Sequence, residues 1–103
     1  MIEYVEGIYT FYIYILTNKN RTVLYTGVTN NLKLRLQQHE EKLNPNNFTA
    51  RYNTHFLIYY EKFTWIQLAI AREKQIKNLS RERKLNLIKE INPDLEFWNY
   101  HFK

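Results

Sequence analysis

The sequence predicts an α+β fold in which a three-stranded antiparallel sheet is flanked by helices, in the order β-β-α-β-α-α. Three runs of aromatic and β-branched residues predict the strands, and three longer segments with apolar residues at helical spacing predict the helices. The 103 residues are expected to form one domain, because two smaller cores would each be only marginally stable. Helices are required because three strands alone cannot keep an apolar face buried.

The first two strands are predicted at Phe11–Leu16 and Val23–Val28, joined by the polar, turn-forming segment Thr17–Thr22. We expect an antiparallel hairpin in which Leu16 lies opposite Val23. That register places two cross-strand pairs on one face of the sheet: Tyr14 with Tyr25, and Tyr12 with Gly27.

The first helix is predicted over Asn31–Leu43, where leucines recur at helical spacing and Asn31 can cap the amino end. The Asn-Pro sequence around Pro45 ends it. Phe48–Thr54 is then predicted to be a polar loop, and His55–Phe63 to be the third strand.

Two further helices are predicted over Trp65–Asn78 and Arg81–Ile91. The first would begin with a capping box formed by Thr64 and Gln67, and the second would be capped by Ser80. An Asn-Pro sequence ends the second helix. The tail carries four aromatic residues that are expected to pack on the rest of the domain: Phe97, Trp98, Tyr100 and Phe102.

Composition narrows the possible functions. The chain has no cysteine, which excludes disulfides, thiolate zinc sites and cysteine nucleophiles. It is 45% apolar and 17% aromatic, which is too apolar for a disordered chain, and its net charge of +5 favours a polyanionic partner. The apolar run Tyr9–Leu16 is far shorter than the roughly 20 residues that span a bilayer. Because acidic rather than basic residues precede it, we expect a soluble cytoplasmic protein.

Some polar side chains occupy positions that need an explanation. Glu73 lies on the predicted apolar stripe of the second helix, where a carboxylate should either pair with a neighbouring lysine or bind a metal. Arg35 and His39 neighbour each other on the first helix. They could hold a phosphate and shuttle a proton, or be an ordinary surface arginine and a packed histidine. Spacing alone leaves both interpretations open. The apolar stripe consists of Ile66, Ala69, Ile70 and Ile76.

Basic charge is concentrated in the segment Ala71–Glu90, which carries +4 of the net +5. This segment is either a solvated helical surface with internal ion pairs or a surface that binds phosphates. On the second interpretation, the residues expected to contact nucleic acid are Arg72, Lys74, Lys77, Arg81 and Lys84.

Together these features resemble the GIY-YIG endonuclease superfamily, and most of all its small single-domain bacterial proteins. The resemblance extends from about Phe11 to Trp98 and depends on five motifs that follow one another at the family's spacing. The motifs are Tyr12-Ile13-Tyr14-Ile15-Leu16, Leu24-Tyr25-Thr26-Gly27-Val28-Thr29-Asn30, Leu32-x-x-Arg35-Leu36-x-x-His39, Ala71-Arg72-Glu73-Lys74-Gln75-Ile76-Lys77 and Ile91-Asn92-Pro93-Asp94.

The first motif can be placed in two ways. Gly7-Ile8-Tyr9 matches it letter for letter, but the two motif tyrosines of the family lie about one hairpin apart. Tyr14 has that separation from Tyr25, so Tyr12-Ile13-Tyr14 is assigned as the motif. The second motif departs from the family at Thr26, where isoleucine is usual.

The resemblance implies a role for each matched side chain. Glu73 would bind one divalent metal, Mg²⁺ or Mn²⁺, and Arg35 would contact the scissile phosphate. Tyr14 and Tyr25 would position or activate the attacking water, with assistance from His39. A tyrosine with a pKa near its usual value of about 10 is a poor base at neutral pH. The metal or Arg35 must therefore lower that pKa, or His39 must relay the proton. Two matched residues would support the site: Gly27 and Asn92.

The resemblance thus implies a divalent-metal-dependent phosphodiesterase, an endonuclease that hydrolyses DNA, with repair or recombination as its setting. One alternative is a non-catalytic nucleic-acid-binding module. The other is a nuclease subunit that depends on a protein partner for substrate recognition, because so small a domain has little surface for choosing sequences. The aromatic residues available for stacking in the first alternative include Tyr52, Trp65 and Trp98.

Overall fold

A computed structural model describes residues 10–42 and 46–102. The strands are β1 (Phe11–Thr17), β2 (Leu24–Thr29) and β3 (Phe56–Phe63), and the helices are α1 (Leu32–Glu41), α2 (Phe48–Arg51), α3 (Ile66–Lys77) and α4 (Arg81–Lys89), followed by a 3₁₀ turn at Asn99–Phe102. The sheet is antiparallel with the order β2-β1-β3, which confirms the predicted fold class. Within the described ranges, no helix has the length and apolar character that a membrane crossing requires.

The central strand β1 is apolar on both sides because the sheet is covered on both faces. Successive side chains of a strand point to opposite faces. Ile13 and Ile15 therefore pack in a cluster with residues of α3 and α4, whereas Tyr14 and Leu16 pack in a second cluster with α1. All four side chains are fully buried. The predicted tyrosine face is thus the face that α1 covers.

The predicted hairpin register is wrong by two residues. The carboxamide oxygen of Asn18 accepts hydrogen bonds from the backbone N–H groups of Thr22 (2.8 Å) and Val23 (3.1 Å). The Thr17 hydroxyl donates to the Val23 carbonyl at 2.7 Å. The backbone N–H and carbonyl of Val23 therefore bond to the side chains of Asn18 and Thr17, and Val23 does not pair with Leu16. The observed pairs include Thr17 with Leu24, Leu16 with Tyr25, and Tyr14 with Gly27.

Helix caps agree with the sequence in two places and differ in a third. The side chains of Asn31 and Ser80 accept hydrogen bonds from backbone N–H groups of α1 and α4, as predicted. The capping box of Thr64 and Gln67 is wrong, because Trp65 is the N-cap residue of α3 and no side chain caps that helix. The predicted helix end at Leu43, the following Pro45 and the segment Gly7-Ile8-Tyr9 lie outside the described residues.

The segment predicted to be a polar loop contains the short helix α2. Asn47 caps it, since its side-chain oxygen accepts a hydrogen bond from the Ala50 N–H at 3.0 Å. Thr49 and Ala50 are buried. A single helical turn shows too little apolar periodicity to be recognised from sequence.

The apolar stripe predicted for α3 is only partly correct. Ala69 and Ile76 are fully buried, but Ile66 and Ile70 are each more than a third exposed. The line of the helix that faces the sheet runs through Ala69, Arg72 and Ile76, at i, i+3 and i+7. Ile66, Ile70 and Glu73 form the adjoining line, so the Glu73 carboxylate stands beside the core and not within it.

The tail packs on the domain much as predicted. The backbone N–H of Trp98 donates to the Leu57 carbonyl at 2.7 Å, and the side-chain oxygen of Asn99 accepts from the backbone N–H of Leu57 at 2.8 Å. Phe97 packs against one core cluster, while Trp98 and Phe102 pack against the other. Tyr100 differs from the expectation, because it is 63% exposed.

Asn92, predicted to support the site, anchors the chain after α4. Its side-chain amide donates to the carbonyl oxygens of Ile58 (2.9 Å) and Glu96 (3.0 Å), and its oxygen accepts from the Glu96 N–H (2.9 Å). The residue is 2% exposed. Asn92 thus supports the domain by fixing the carboxyl-terminal segment to β3.

The substitution Asn92→Ala is expected to lower the free energy of unfolding by about 2 to 4 kcal/mol, because it removes three hydrogen bonds and leaves buried backbone groups unpaired. Urea unfolding followed by circular dichroism measures the change. The matched control is Asn86→Ala on the exposed side of α4, which should change stability by less than about 0.7 kcal/mol. Equal effects of the two substitutions would contradict the anchoring role.

Candidate active site

The site is centred on the Tyr14 hydroxyl, which the fold holds against the backbone of β2. Tyr14 is fully buried and lies opposite Gly27. A Cβ at position 27 would stand 2.5 Å from the Tyr14 oxygen and 2.6 Å from the ring carbon that bears it. The partner of Gly27 across the hairpin is thus Tyr14, not Tyr12 as the predicted register had it, and only glycine leaves room for the ring.

A chain of hydrogen bonds leads from the Tyr14 hydroxyl to α2. The hydroxyl lies 3.1 Å from His39 Nε2, and His39 Nδ1 lies 2.8 Å from Thr49 Oγ1. Thr49 Oγ1 in turn donates its proton to Asn47 Oδ1 at 3.1 Å. The Asn47 side chain must present oxygen here, since the same atom accepts from the Ala50 N–H.

This chain determines the tautomer of His39. Because the one hydroxyl proton of Thr49 goes to Asn47, Thr49 must accept from the imidazole, so Nδ1 carries the ring proton. The lone pair on Nε2 then accepts the hydrogen bond from Tyr14. His39 is thereby arranged to take a proton from the tyrosine hydroxyl.

The environment keeps both ends of this contact uncharged near neutral pH. Burial lowers the pKa of His39 to about 4, with further lowering by the positive charges of Arg35 and His55. Burial also raises the pKa of Tyr14 well above its usual value. Tyr25 and Glu73 raise the pKa of Tyr14 further, whereas interaction with the Arg35 guanidinium lowers it. Tyr14 is therefore a phenol and His39 a neutral imidazole.

Two of the predicted residues lie against Tyr14. The Tyr25 ring on β2 is 6.3 Å from the Tyr14 ring, and the Arg35 guanidinium on α1 interacts with the Tyr14 hydroxyl. Glu73 on α3 makes the smallest of the contributions to the pKa of Tyr14, and its ion pair is with Lys77. Arg35 is exposed; its guanidinium interacts with the Tyr14 hydroxyl and also donates to Gln38 Oε1 at 3.2 Å. Its guanidinium is thus available to an anion beside the Tyr14 hydroxyl.

Glu73 has the ion-pair partner that one of the two open interpretations anticipated. Its carboxylate lies 3.3 Å from the Lys77 ammonium, which is half exposed, while the Glu73 side chain is 16% exposed. An ion pair across one helical turn at the surface is weak, typically about 0.3 to 0.5 kcal/mol. Because this ion pair is weak, a metal cation could replace the Lys77 ammonium at the Glu73 carboxylate.

The donor set around Glu73 suits a hydrated hard cation. Among residues 10–42 and 46–102, no group of three or more histidine, aspartate or glutamate side chains could hold a metal ion together. A site of this kind does not suit Zn²⁺, which takes three or four protein ligands. Mg²⁺ keeps several waters and is commonly held by one or two carboxylates together with substrate phosphates. Glu73 alone is therefore compatible with the expected Mg²⁺ or Mn²⁺.

The basic residues of α3 and α4 divide into two groups. Arg72 is engaged inside the protein, because its guanidinium bonds to the Glu61 carboxylate at 2.9 and 3.0 Å. Glu61 raises the pKa of Arg72 and also accepts the Tyr59 hydroxyl. The other predicted contacts have exposed or half-buried side chains: Lys74, Lys77, Arg81 and Lys84. Of these basic residues, Arg72 is the one held by two short hydrogen bonds to a carboxylate of the sheet.

Sequence reasoning missed Thr49 and Asn47, which orient His39. The usable signal was Asn47 two residues before Thr49, a pattern in which the asparagine caps a short helix and its oxygen can also accept the threonine hydroxyl. It was hidden because a helix of one turn has no periodicity. Asn92, by contrast, is not part of this site, since its contacts are with Ile58 and Glu96.

Comparison with known proteins gives one family model and several small proteins that match most of the chain. A family model described as the GIY-YIG catalytic domain matches residues 10–86. A UPF0213 protein of Syntrophus aciditrophicus is 39% identical over 83 residues, which cover 81% of this chain and 93% of that protein. A UPF0213 protein of Clostridium perfringens is 40% identical over 77 residues, covering 75% and 81% of the two chains. The solution NMR structure of a UPF0213 protein from Bacillus halodurans is similar with a TM-score of 0.54 at 26% identity, covering 88% of this chain and 93% of that one.

The lowered pKa of His39 makes stability depend on pH. Between about pH 4 and the unfolded value of 6.5, the unfolded chain binds a proton at His39 that the folded chain does not, so stability falls as pH falls. The full shift corresponds to roughly 3 kcal/mol at about 1.4 kcal/mol per pKa unit. Urea unfolding between pH 7 and pH 4 should show this loss.

His39→Gln is the control, because it removes the titrating group. Its unfolding free energy should fall by roughly 3 kcal/mol less than that of the unchanged protein over the same pH interval. Parallel pH profiles for the two proteins would show that His39 is not held neutral by the fold.

Proposed function

The chain belongs to the GIY-YIG catalytic domain family, a nuclease family that acts on nucleic acid, and on that premise we propose that it is a metal-dependent endonuclease that hydrolyses DNA. The observation that carries the proposal is the buried hydrogen-bonded pair of Tyr14 and His39, whose tautomer Thr49 determines, with the Arg35 guanidinium at the Tyr14 hydroxyl. These groups come from β1, α1 and α2, and a purely structural tyrosine needs no cation beside its hydroxyl.

Tyr14 and His39 form the proton path of the proposed reaction. Tyr14 is protonated at neutral pH, so it cannot remove a proton from water by itself. Its hydroxyl is fully buried in the unbound protein, so substrate binding must first bring a water to it; Tyr14 can then accept a proton from that water while it passes its own proton to His39 Nε2. This relay avoids a phenolate but forms an imidazolium, and burial disfavours both charges, so the negative charge of the bound phosphate would have to stabilise protonated His39. Thr49 holds the imidazole so that its vacant nitrogen faces Tyr14.

Arg35 is proposed to bind the scissile phosphate. Its exposed guanidinium lies beside the Tyr14 hydroxyl, where it can hold two phosphate oxygens and stabilise the extra negative charge of the pentavalent transition state. Water bound between Arg35 and Tyr14 would then lie next to the phosphorus. Tyr25, half-buried beside Tyr14 and His39, limits where that water can stand.

Glu73 would hold the divalent cation, which when bound stabilises charge on the phosphoryl and leaving oxygens. The carboxylate would first release Lys77, which is free to contact a neighbouring phosphate. The exposed basic residues of α3 and α4 extend this positive surface. Hydrolysis adds water across one P–O bond and leaves a nicked or broken strand.

A non-catalytic nucleic-acid-binding module remains the second candidate, because the Lys77 ion pair already neutralises Glu73 without a cation. The two candidates differ in turnover. A binder retains DNA in any divalent metal without cleaving it, and its affinity falls with salt concentration.

The substitution Glu73→Gln is expected to lower the rate of DNA cleavage in Mg²⁺ or Mn²⁺ on the order of 10²-fold or more, because it removes the charged ligand while preserving shape. Single-stranded, duplex and branched oligonucleotides are incubated with each protein, and products are resolved on denaturing gels. Glu82→Gln, an exposed glutamate in the first turn of α4, is the matched control. Equal cleavage by the original protein and Glu73→Gln would refute the role of Glu73.

Thr49→Val keeps the shape of the side chain but removes the acceptor for His39 Nδ1–H. We expect nitrogen NMR shifts of His39 to change from a single Nδ1–H tautomer to a mixture, and cleavage to slow by about tenfold, less than the loss of a whole proton relay. Thr64→Val, at an exposed position, should change neither quantity. An unaltered tautomer in Thr49→Val would rule out the positioning role.

A further inference from the structure

A row of aromatic rings leads from the site to the surface. The Tyr25 ring lies 6.3 Å from the Tyr14 ring and 5.8 Å from the His39 ring. Phe48 lies 6.0 Å from Tyr25 with an angle of 26° between the ring planes, and Tyr52 lies 4.8 Å from Phe48. We call the outer part of this row, Phe48 and Tyr52, the aromatic step.

The aromatic step is open to solvent. Phe48 is 44% exposed and Tyr52 is 47% exposed, although the nearby residues Thr49 and Ala50 of the same helix are buried. α2 therefore packs through its small side chains and leaves its large rings outside. Exposed aromatic groups placed side by side beside a candidate catalytic centre are typical of a binding surface.

The step has a fixed position relative to the proposed chemistry. Asn47 caps α2 and also accepts the hydrogen bond from Thr49, the residue that orients His39. The turn that carries Phe48 is thus tied by hydrogen bonds to the group that contacts Tyr14. A ligand stacked on the step would lie next to Tyr25, whose ring packs against both Phe48 and Tyr14.

Charge at the outer end of the step favours a nucleotide over an uncharged aromatic ligand. The exposed Arg51 guanidinium stands 6.0 Å from the centre of the Tyr52 ring. An arginine beside stacked rings can contact a phosphate while the rings accept a base. Only an unpaired base offers its face, because the bases of a continuous duplex are already stacked on one another.

We propose that the aromatic step binds an unpaired nucleobase next to the phosphate that is cleaved. The substrate class is then DNA with unpaired nucleotides at the cleavage site, as a single strand or at a branch, and a continuous duplex is disfavoured. The position relative to the scissile phosphate rests on the proposed function, but the stacking itself does not. Binding can therefore be measured without turnover.

The probe is a single-stranded oligonucleotide that contains 2-aminopurine, whose fluorescence falls when it stacks on an aromatic ring. Binding is measured in EDTA, so that no cleavage occurs. The original protein should quench the probe, and Phe48→Leu should bind it about 5- to 100-fold more weakly with little quenching. Phe48→Trp, which restores a ring, should restore both quantities.

Matched controls separate stacking from charge and from folding. Tyr100→Leu removes an aromatic residue that is 63% exposed elsewhere on the surface and should bind like the original protein. A duplex of the same sequence should bind Phe48→Leu and the original protein equally. Urea unfolding of Phe48→Leu shows whether its fold is retained, and Tyr52→Leu gives a second test at the outer ring.

The outcomes distinguish this inference from the proposed function. Equal loss of single-strand and duplex binding in Phe48→Leu, or no loss of either, overturns the stacking site. Cleavage in Mg²⁺ or Mn²⁺ that does not prefer unpaired DNA overturns the substrate class while leaving the nuclease intact. Ring-dependent quenching in a protein that cleaves nothing supports the stacking site and contradicts the proposed function.

Discussion

The buried hydroxyl of Tyr14 is the constraint on which the site depends. A phenol out of contact with water needs a hydrogen-bond partner, and His39 supplies it at 3.1 Å. The ring can reach this position only because Gly27 has no side chain. The imidazole can accept at Nε2 only because its one N–H, at Nδ1, donates to Thr49. Residues of β1, β2, α1 and α2 therefore meet around one polar atom, and a change in any of these residues alters the same contact.

The two covered faces of the sheet separate the proposed cation ligand from the tyrosine pair. Tyr14 belongs to the face covered by α1, whereas α3 packs on the opposite face through Ala69 and Ile76. Glu73 lies on the line of α3 beside that packed line, and its charge acts on Tyr14. Arg72 lies on the line of α3 that faces the sheet, and its guanidinium forms an ion pair with Glu61. Adjacent residues of one helix thus serve the fold and the candidate site separately.

The sequence predicted the order of strands and helices correctly, but not the hairpin register or the short helix α2. Strands, helices and the caps at Asn31 and Ser80 follow from local propensity and periodicity, which neighbouring residues express without the rest of the chain. The hairpin register could not be predicted, because the Asn18 side chain closes the loop in place of two ladder bonds. α2 was missed because its stability comes from burial of Thr49 and Ala50 and from the Asn47 cap. The prediction that Tyr14 and Tyr25 share a face is still correct, because a register shift of two residues leaves each side chain on the same face of the sheet.

By itself, the sequence determined which side chains could take part in the chemistry and that Tyr14 and Tyr25 share a face. Motif spacing and strand parity are local properties, so they need no knowledge of packing. Only the tertiary structure decided the direction in which a proton can move, because the tautomer of His39 depends on a threonine ten residues away on another helix. Burial decided the charge states as well, since it lowers the pKa of His39 and raises that of Tyr14. Burial is a property of the assembled domain, and no pattern along the chain contains it.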